Sequence, residues 1–301
     1  MSKVKADIAI LGHIAKDIIE IDGKSRTAIG GAVYNGAIAG SHMGLKIVVI
    51  TRLNKNDFQI LNEFTKYGIR FFAYPSSKQT SGLRNIYSSK NLEYRKCIPL
   101  GFAGLFKKEE IPENLDVKYF VLGPIIAGEI DLSLLNYLYD KYPGKICLDL
   151  QGFLREISEN DEINYRTLSQ SEIQGILSKV NILKLDYAEA QALTNNNEVT
   201  IKEAAEFALK FGPKEVLITH AKGISSFTNT SSYYFPWKYK QIKGRTGRGD
   251  TSLISYIGSR ITKTPEESLK FAAALTSLKL ENQGPFTLPL NFVEKLIKEE
   301  Y

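Results

Sequence analysis

The feature that most constrains this chain is the alternation of short, β-rich apolar runs with stretches of helical periodicity. Runs at residues 8–11, 46–51, 69–74, 119–123, 145–150, 182–185 and 216–220 have the length and the Val, Ile and Tyr content of buried strands. Between them, residues 32–43, 55–67, 132–141 and 201–211 place apolar side chains at helical spacing, and 251–261 and 265–280 follow the last run. Such alternation, with mostly short connections, predicts one doubly wound domain over 1–301, a parallel-type sheet between two helical layers in an α/β/α sandwich. Two segments break the pattern. Residues 18–28 read as strand, Asp22-Gly23 turn, strand, and 80–99 are polar, tyrosine-bearing and hairpin-like. Together they predict a small β-sheet lid standing off the main sheet.

Composition removes several classes of function. No apolar run approaches the roughly 20 residues of a membrane helix, and residues 1–7 lead straight into a strand-like run without a small-residue cleavage site, so neither a membrane partner nor export is expected. Cys97 and Cys147 are too few for a disulfide scaffold, which favours a reducing, cytoplasmic setting, and with only His13, His42 and His220 a zinc site is not expected. The net charge is +6, but acids and bases are interspersed, so a preference for small anionic ligands fits better than nucleic acid.

The segment with the most chemical content is Gly244-Arg245-Thr246-Gly247-Arg248-Gly249-Asp250-Thr251, which precedes an apolar helix. Glycines there let successive backbone N–H groups turn toward an anion, and the positive end of the helix dipole adds to the attraction. A carboxylate at that mouth suits a group that takes a proton from a hydroxyl attacking a phosphoryl group. Read alone, the octapeptide is equally a glycine turn capped by Asp250. No Walker lysine motif and no strand-linked G-x-G-x-x-G near the N-terminus occurs, which leaves P-loop and dinucleotide readings without their parts.

In its context the octapeptide resembles the C-terminal signature D-T-x-G-A-G-D of the PfkB, or ribokinase-like, family of carbohydrate kinases. The resemblance runs from about residue 6 to about 285. It implies a ribokinase-like three-layer fold, ATP and Mg2+ as cofactors, Asp250 as catalytic base, and Gly247, Arg248 and Gly249 as an anion hole. Gly30-Gly31, followed by a helix bearing Asn35, resembles the family's first signature, and Asp17 matches its substrate-binding Asp. The stretch 181–189, NILKLDYAE, resembles the N-x-x-E region; it places Lys184 and Glu189 on the nucleotide side, Glu189 reaching magnesium through water. Thr219 to Gly223 resembles a stretch near the nucleotide phosphates, and 273–283 should wall the adenine, with Asn282 as the polar candidate. Gly244 stands where the signature has Asp, which removes a carboxylate and argues against the monovalent-cation site of some relatives. Asp186 replaces the usual Asn. Arg245 and Arg248 are additions that could neutralise phosphate charge or project to solvent.

The variant GRTGRGDT, together with Asp149 to Phe153 after a strand, is similar to a subgroup associated with myo-inositol and related polyols, in which Gln151 and Gly152 would line the pocket. A polyhydroxy acceptor wants paired donors and acceptors, which Asp17, Asn35 and Arg84 supply. Two alternatives stay open: a nucleoside kinase of the same fold, its base stacked on Tyr87 or Tyr94, and a catalytically silent sugar-binding regulator. A homodimer through the lid is a further expectation of the resemblance.

Overall fold

The computed structural model of the protein describes residues 3–301, with 91–94 described by their backbone alone. In chain order its strands are β1 (Val4–Leu11), β2 (Ala15–Ile21), β3 (Lys24–Gly30), β4 (Ile47–Asn54), β5 (Arg70–Ser76), β6 (Gly82–Ser88), β7 (Asn91–Gly101), β8 (Leu115–Leu122), β9 (Ile146–Asp149), β10 (Arg155–Ile157), β11 (Ile163–Tyr165), β12 (Ile182–Asp186), β13 (Glu215–His220), β14 (Gly223–Phe227) and β15 (Ser232–Pro236). The helices are α1 (Ala32–His42), α2 (Asn62–Lys66), α3 (Leu132–Lys141), α4 (Gln151–Leu154), α5 (Gln170–Leu177), α6 (Tyr187–Thr194), α7 (Ile201–Leu209), α8 (Arg248–Arg260), α9 (Pro265–Leu280) and α10 (Leu290–Glu300).

Among the described residues the main sheet has nine strands in the order β15-β14-β13-β12-β9-β8-β1-β4-β5. Its members from β13 to β5 run parallel, and β14 and β15 close one edge antiparallel. Strands covered on both faces must be apolar throughout, and Ile8 to Leu11, Ile146 to Leu148 and Val216 to Ile218 are all fully buried. One core packs β1, β8, β9 and β12 against α3, α5 and α7; the other packs the opposite face against α1, α8 and α9. The α/β/α sandwich expected from the alternation is therefore present.

Some details differ from the sequence reading. The expected helix 55–67 is a 3₁₀ turn over Lys55–Leu61 followed by the short α2, because Asn54 caps the segment through its side chain and Asp57 is drawn away to Lys16 and Thr80. The β10–β11 hairpin gave no sequence signal. It meets the small sheet through a Lys96–Glu162 ion pair at 2.5 Å.

The small sheet has the order β3-β2-β6-β7, with β2 and β6 parallel, and its strands reach further than expected, over 15–30 and 82–101. Its base is pinned by buried polar contacts: Ser81 Oγ lies 2.7 Å from His13 Nδ1 and accepts from Ala103 N, while the Ser81 carbonyl accepts from Lys16 N. Gly82 permits this crossing, since a Cβ there would stand 2.1 Å from the Lys16 carbonyl oxygen. No helix among the described residues is long and apolar enough to cross a membrane.

Candidate active site

The carboxyl ends of the central strands open onto a cleft that the small sheet overhangs. Its floor is the turn into α8. Gly247 is the N-cap in the left-handed region, φ 84°, and a Cβ on it would lie 2.6 Å from the Asn35 side chain, so only glycine suits both demands. The first amides of a helix have no intrahelical acceptor. That of Arg248 donates to the Arg245 carbonyl at 3.1 Å, closing the turn. Gly247, Arg248, Gly249 and Asp250 all line the cleft at this turn, and of the expected anion-hole amides that of Arg248 is engaged within the turn itself. Gly249 also lets Lys184 come close, since a Cβ would meet Nζ at 2.8 Å.

Asp250 lines the cleft, and Asn35 Nδ2 donates to its Oδ2 at 3.1 Å. Asn35 is 2% exposed, so its place is behind the carboxylate, fixing it and leaving Oδ1 for another partner. Across from it, Asp17 projects from β2, its Oδ1 accepting from Leu83 N at 2.8 Å. Gly30 makes room for that carboxylate, since a Cβ there would stand 2.6 Å from Oδ2. Burial pushes Asp17 up to about 6, against the Leu83 N–H and the charge of Arg95, with the charge of Asp250 pushing the same way as burial. Gly31 and Gln151 complete this side, together with Leu83 and Asn85 from β6.

The cleft is also rich in cations. Arg95, Arg155, Lys184, Arg245 and Arg248 all line the cleft, with Asp186 and Thr219 among them. Behind them sits a buried charge relay. Lys184 Nζ lies 3.0 Å from Asp149 and 3.5 Å from Glu189, and Arg155 donates to Glu189 at 2.7 Å. Glu189 also closes a capping box with Asp186 at the start of α6. Burial first, then the charge of Asp186, push Glu189 upward, while Lys184 and Arg155 pull it down. The same neighbours raise Lys184, Asp149 and Glu189 outweighing the cost of its burial.

The expectation that Glu189 reaches magnesium through water does not suit this arrangement, because its carboxylate is fully buried and already carries two cations. Asp186, with its side chain 23% exposed, is the carboxylate that faces the cleft. Among the described residues no group of three or more His, Cys, Asp or Glu forms a ready metal cage. A divalent ion here would be held mainly by oxygens of a bound donor.

Other residues named from sequence lie elsewhere. Arg84 is on the face of β6 opposite Leu83 and Asn85, 3.7 Å from Glu20. Gly152 stands behind the cleft, where a Cβ would collide with Pro124. Gly223 opens β14, with the Phe235 carbonyl where a Cβ would go. Asn282 turns back to the Leu278 carbonyl. Of the stretch expected to wall an adenine, Ala273, Thr276 and Ser277 are fully buried, with Lys238 N and Tyr301 OH bonding to or lying against Ser277 Oγ, while Asn282 and Gln283 are exposed. Beside the cleft a second pocket of about 540 Å³ is lined by Tyr165, Tyr187, Gln191, His220 and Lys222, and it shares Arg245 and Arg248 with the cleft. Tyr87 is buried in the lid with Arg245 over its ring at 6.0 Å, and the side chain of Tyr94 lies outside the described residues.

Sequence reasoning missed Arg155, Arg95, Asn85 and Lys279, and named Asp149 in a motif without giving it a role. Asp149 is a charged residue ending a fully buried parallel strand, and that placement was a readable signal. Arg95 and Asn85 enter only through docking of the lid.

The model of the pfkB family carbohydrate kinases matches residues 5–290. Among curated proteins nothing matches. A solved pyrophosphate-dependent kinase in the ribokinase family, complexed with a pyrophosphate analog and myo-inositol, is 29% identical over 96% of this chain and 99% of its own, with a TM-score of 0.85. A pyrophosphate-dependent myo-inositol-1 kinase converted into a myo-inositol-3 kinase by a double substitution is 28% identical over 96% and 98%, TM-score 0.86. Arabidopsis thaliana ribokinase with ribose and ATP shares the fold at 20% identity, covering 99% of each chain with a TM-score of 0.75.

Proposed function

The chain belongs to the pfkB family of carbohydrate kinases, and from that premise we propose that it transfers a phosphoryl group from pyrophosphate to a hydroxyl of a cyclic polyol of the myo-inositol kind. The observation that carries the donor assignment is the convergence of Arg95, Arg155, Lys184, Arg245 and Arg248 on one small cleft. Such a density of cations suits a compact, highly charged donor. The donor of the pyrophosphate-dependent structures similar to this chain supports the same reading.

In the proposed reaction the acceptor hydroxyl sits between Asp17 and Asp250. Asp250 takes the hydroxyl proton on the oxygen that Asn35 leaves open, as the hydroxyl oxygen bonds to phosphorus and the bridging oxygen of pyrophosphate departs with orthophosphate. The amides of Gly247 and Gly249 meet the charge of the transferred group, and Arg155, Lys184 and Arg248 hold the leaving phosphate. Magnesium, when bound, would neutralise donor charge, with Asp186 the carboxylate toward it. The lid keeps water from the donor.

Product formation from pyrophosphate and from ATP, each paired with myo-inositol, ribose, fructose and adenosine, tests the proposal. The expected result is turnover with pyrophosphate and myo-inositol about tenfold or more above any pairing with ATP, the margin that ~1.4 kcal/mol of discrimination gives. ATP equal to or better than pyrophosphate would refute the donor assignment, which the 540 Å³ side pocket would then explain. Adenosine as the sole good acceptor would make the protein a nucleoside kinase, and binding without turnover in every pairing a silent sugar binder.

A further inference from the structure

Helix α9 carries a lysine where its buried stripe calls for an apolar side chain. Lys279 follows Ala272 and Thr276 at helical spacing and is 1% exposed. Its Nζ donates to the carbonyl oxygen of Gly244 at 2.5 Å and to that of Thr246. Both carbonyls belong to the turn that delivers Gly247 to the start of α8. The same turn is tied to α9 by the backbone of Lys243 and Gly244, both donating to the Leu280 carbonyl.

Burying an ammonium costs several kcal/mol unless its protons are satisfied, and here the partners are backbone carbonyls. Burial draws Lys279 down to about 7, with the charge of Asp250 opposing and those of Arg248, Arg26 and Arg245 adding to the fall. So expensive a group needs a return elsewhere, and peptide geometry supplies one. In a trans peptide the C=O of one residue and the N–H of the next point in opposite directions. Holding the Thr246 carbonyl against Lys279 therefore aims the Gly247 N–H away from α9, and Gly247 lines the cleft.

We propose that Lys279 is a positioning residue whose ammonium acts as a built-in monovalent cation: it gathers the Gly244 and Thr246 carbonyls, sets the direction of the anion-hole amides, and makes a free alkali cation unnecessary. Two convergent carbonyls around one positive charge are what a bound potassium ion would gather, and the absence of a side-chain carboxylate at Gly244 leaves the lysine to hold the turn. The inference rests on the reading of residues 247–250 as a phosphoryl-binding turn.

The test measures turnover at pH 6, where a group drawn down to about 7 is mostly charged, of wild type, Lys279→Ala and Lys279→Met with tetramethylammonium, sodium, potassium or ammonium as the only monovalent cation, using whichever donor supports wild-type turnover, so that a failure of the pyrophosphate assignment leaves the series intact. Wild type is expected to vary by less than about twofold across the cations. Lys279→Ala, with a cavity in place of the side chain, should fall about tenfold or more in tetramethylammonium, as loss of a charged hydrogen bond implies, and recover about fivefold or more in ammonium or potassium. Lys279→Met fills the cavity with an apolar chain and should fall without recovery. A wild type that requires potassium, a folded Lys279→Ala equally impaired in every cation, or full activity in Lys279→Met would each overturn the inference. Should the alanine variant not fold, the wild-type series and the methionine variant still decide it.

Discussion

Asp17 ties acceptor recognition to stability, and the link can be measured. Its carboxylate is 6% exposed, accepts one N–H from Leu83, and is pushed from 3.8 up to about 6 by burial. A carboxyl group whose pKa is higher in the folded than in the unfolded chain binds more protons when folded between those two values. Stability therefore falls as pH rises from about 4 to about 6 and stays lowered above. At 1.36 kcal/mol per pH unit the interval corresponds to about 3 kcal/mol. Asn at this position keeps the Leu83 N–H bond through its amide oxygen and removes the charge. Asp17→Asn is expected to unfold at a higher temperature than wild type at pH 8, by about 6 °C at ~2 °C per kcal/mol for a chain of this size, and at nearly the same temperature near pH 4. The same variant should raise the acceptor KM about tenfold or more and leave the donor KM nearly unchanged, since a charged hydrogen bond to a hydroxyl contributes ~1.5–3 kcal/mol. Calorimetric melts at the two pH values with parallel kinetics would check both halves. Equal melting shifts at pH 4 and pH 8 would show that Asp17 carries no burial strain, and a change confined to the donor KM would place it on the wrong side of the cleft.

Asp250→Asn should lower kcat by about 100-fold or more with both KM values near wild type, because general-base catalysis contributes that much; steady-state kinetics decide it, and near-normal turnover would remove Asp250 from the proton transfer. Gly247→Ala must hold a left-handed backbone at a cost of about 1–2 kcal/mol and displace Asn35, which stands 2.6 Å from the new Cβ. Its kcat should fall about tenfold or more while thermal melts show the fold retained, and an unchanged kcat would mean that the Asn35–Asp250 bond does not orient the base.

The sheet was legible because burial on both faces leaves strands no choice but to be apolar, and the pattern of Ile8 to Leu11 or Val216 to Ile218 admits few alternatives. The turn at 247–250 was legible because a left-handed N-cap beside Asn35 requires glycine. The neighbours of that turn were not. Arg95 reaches the cleft only because the lid docks, and Arg155 only because α4 ends where the β10–β11 hairpin begins, so local sequence carries no trace of either. Arg84 illustrates the converse: with a period of 2 along β6, one residue decides whether a side chain meets the acceptor or Glu20. Lys279 did leave a trace, a cation on the apolar stripe of α9, but its meaning needed the carbonyls of Gly244 and Thr246 to be placed beside it.

The cations of the cleft are balanced from behind, and the balance bears on the proposed transfer. Asp17, Asp250, Arg155, Lys184 and Arg248 all line the cleft. Glu189 and Asp149 neutralise Arg155 and Lys184 from behind, where they are fully buried, so they lower the cost of holding cations in the wall without facing the donor. In the proposed reaction a polyanion entering this cleft is drawn to its cations, and Asp250 has a proton to take only when the acceptor is present, water being excluded by the small sheet. Removing Glu189 would leave Arg155 and Lys184 under-neutralised, so the proposed donor binding depends on a residue that touches neither substrate.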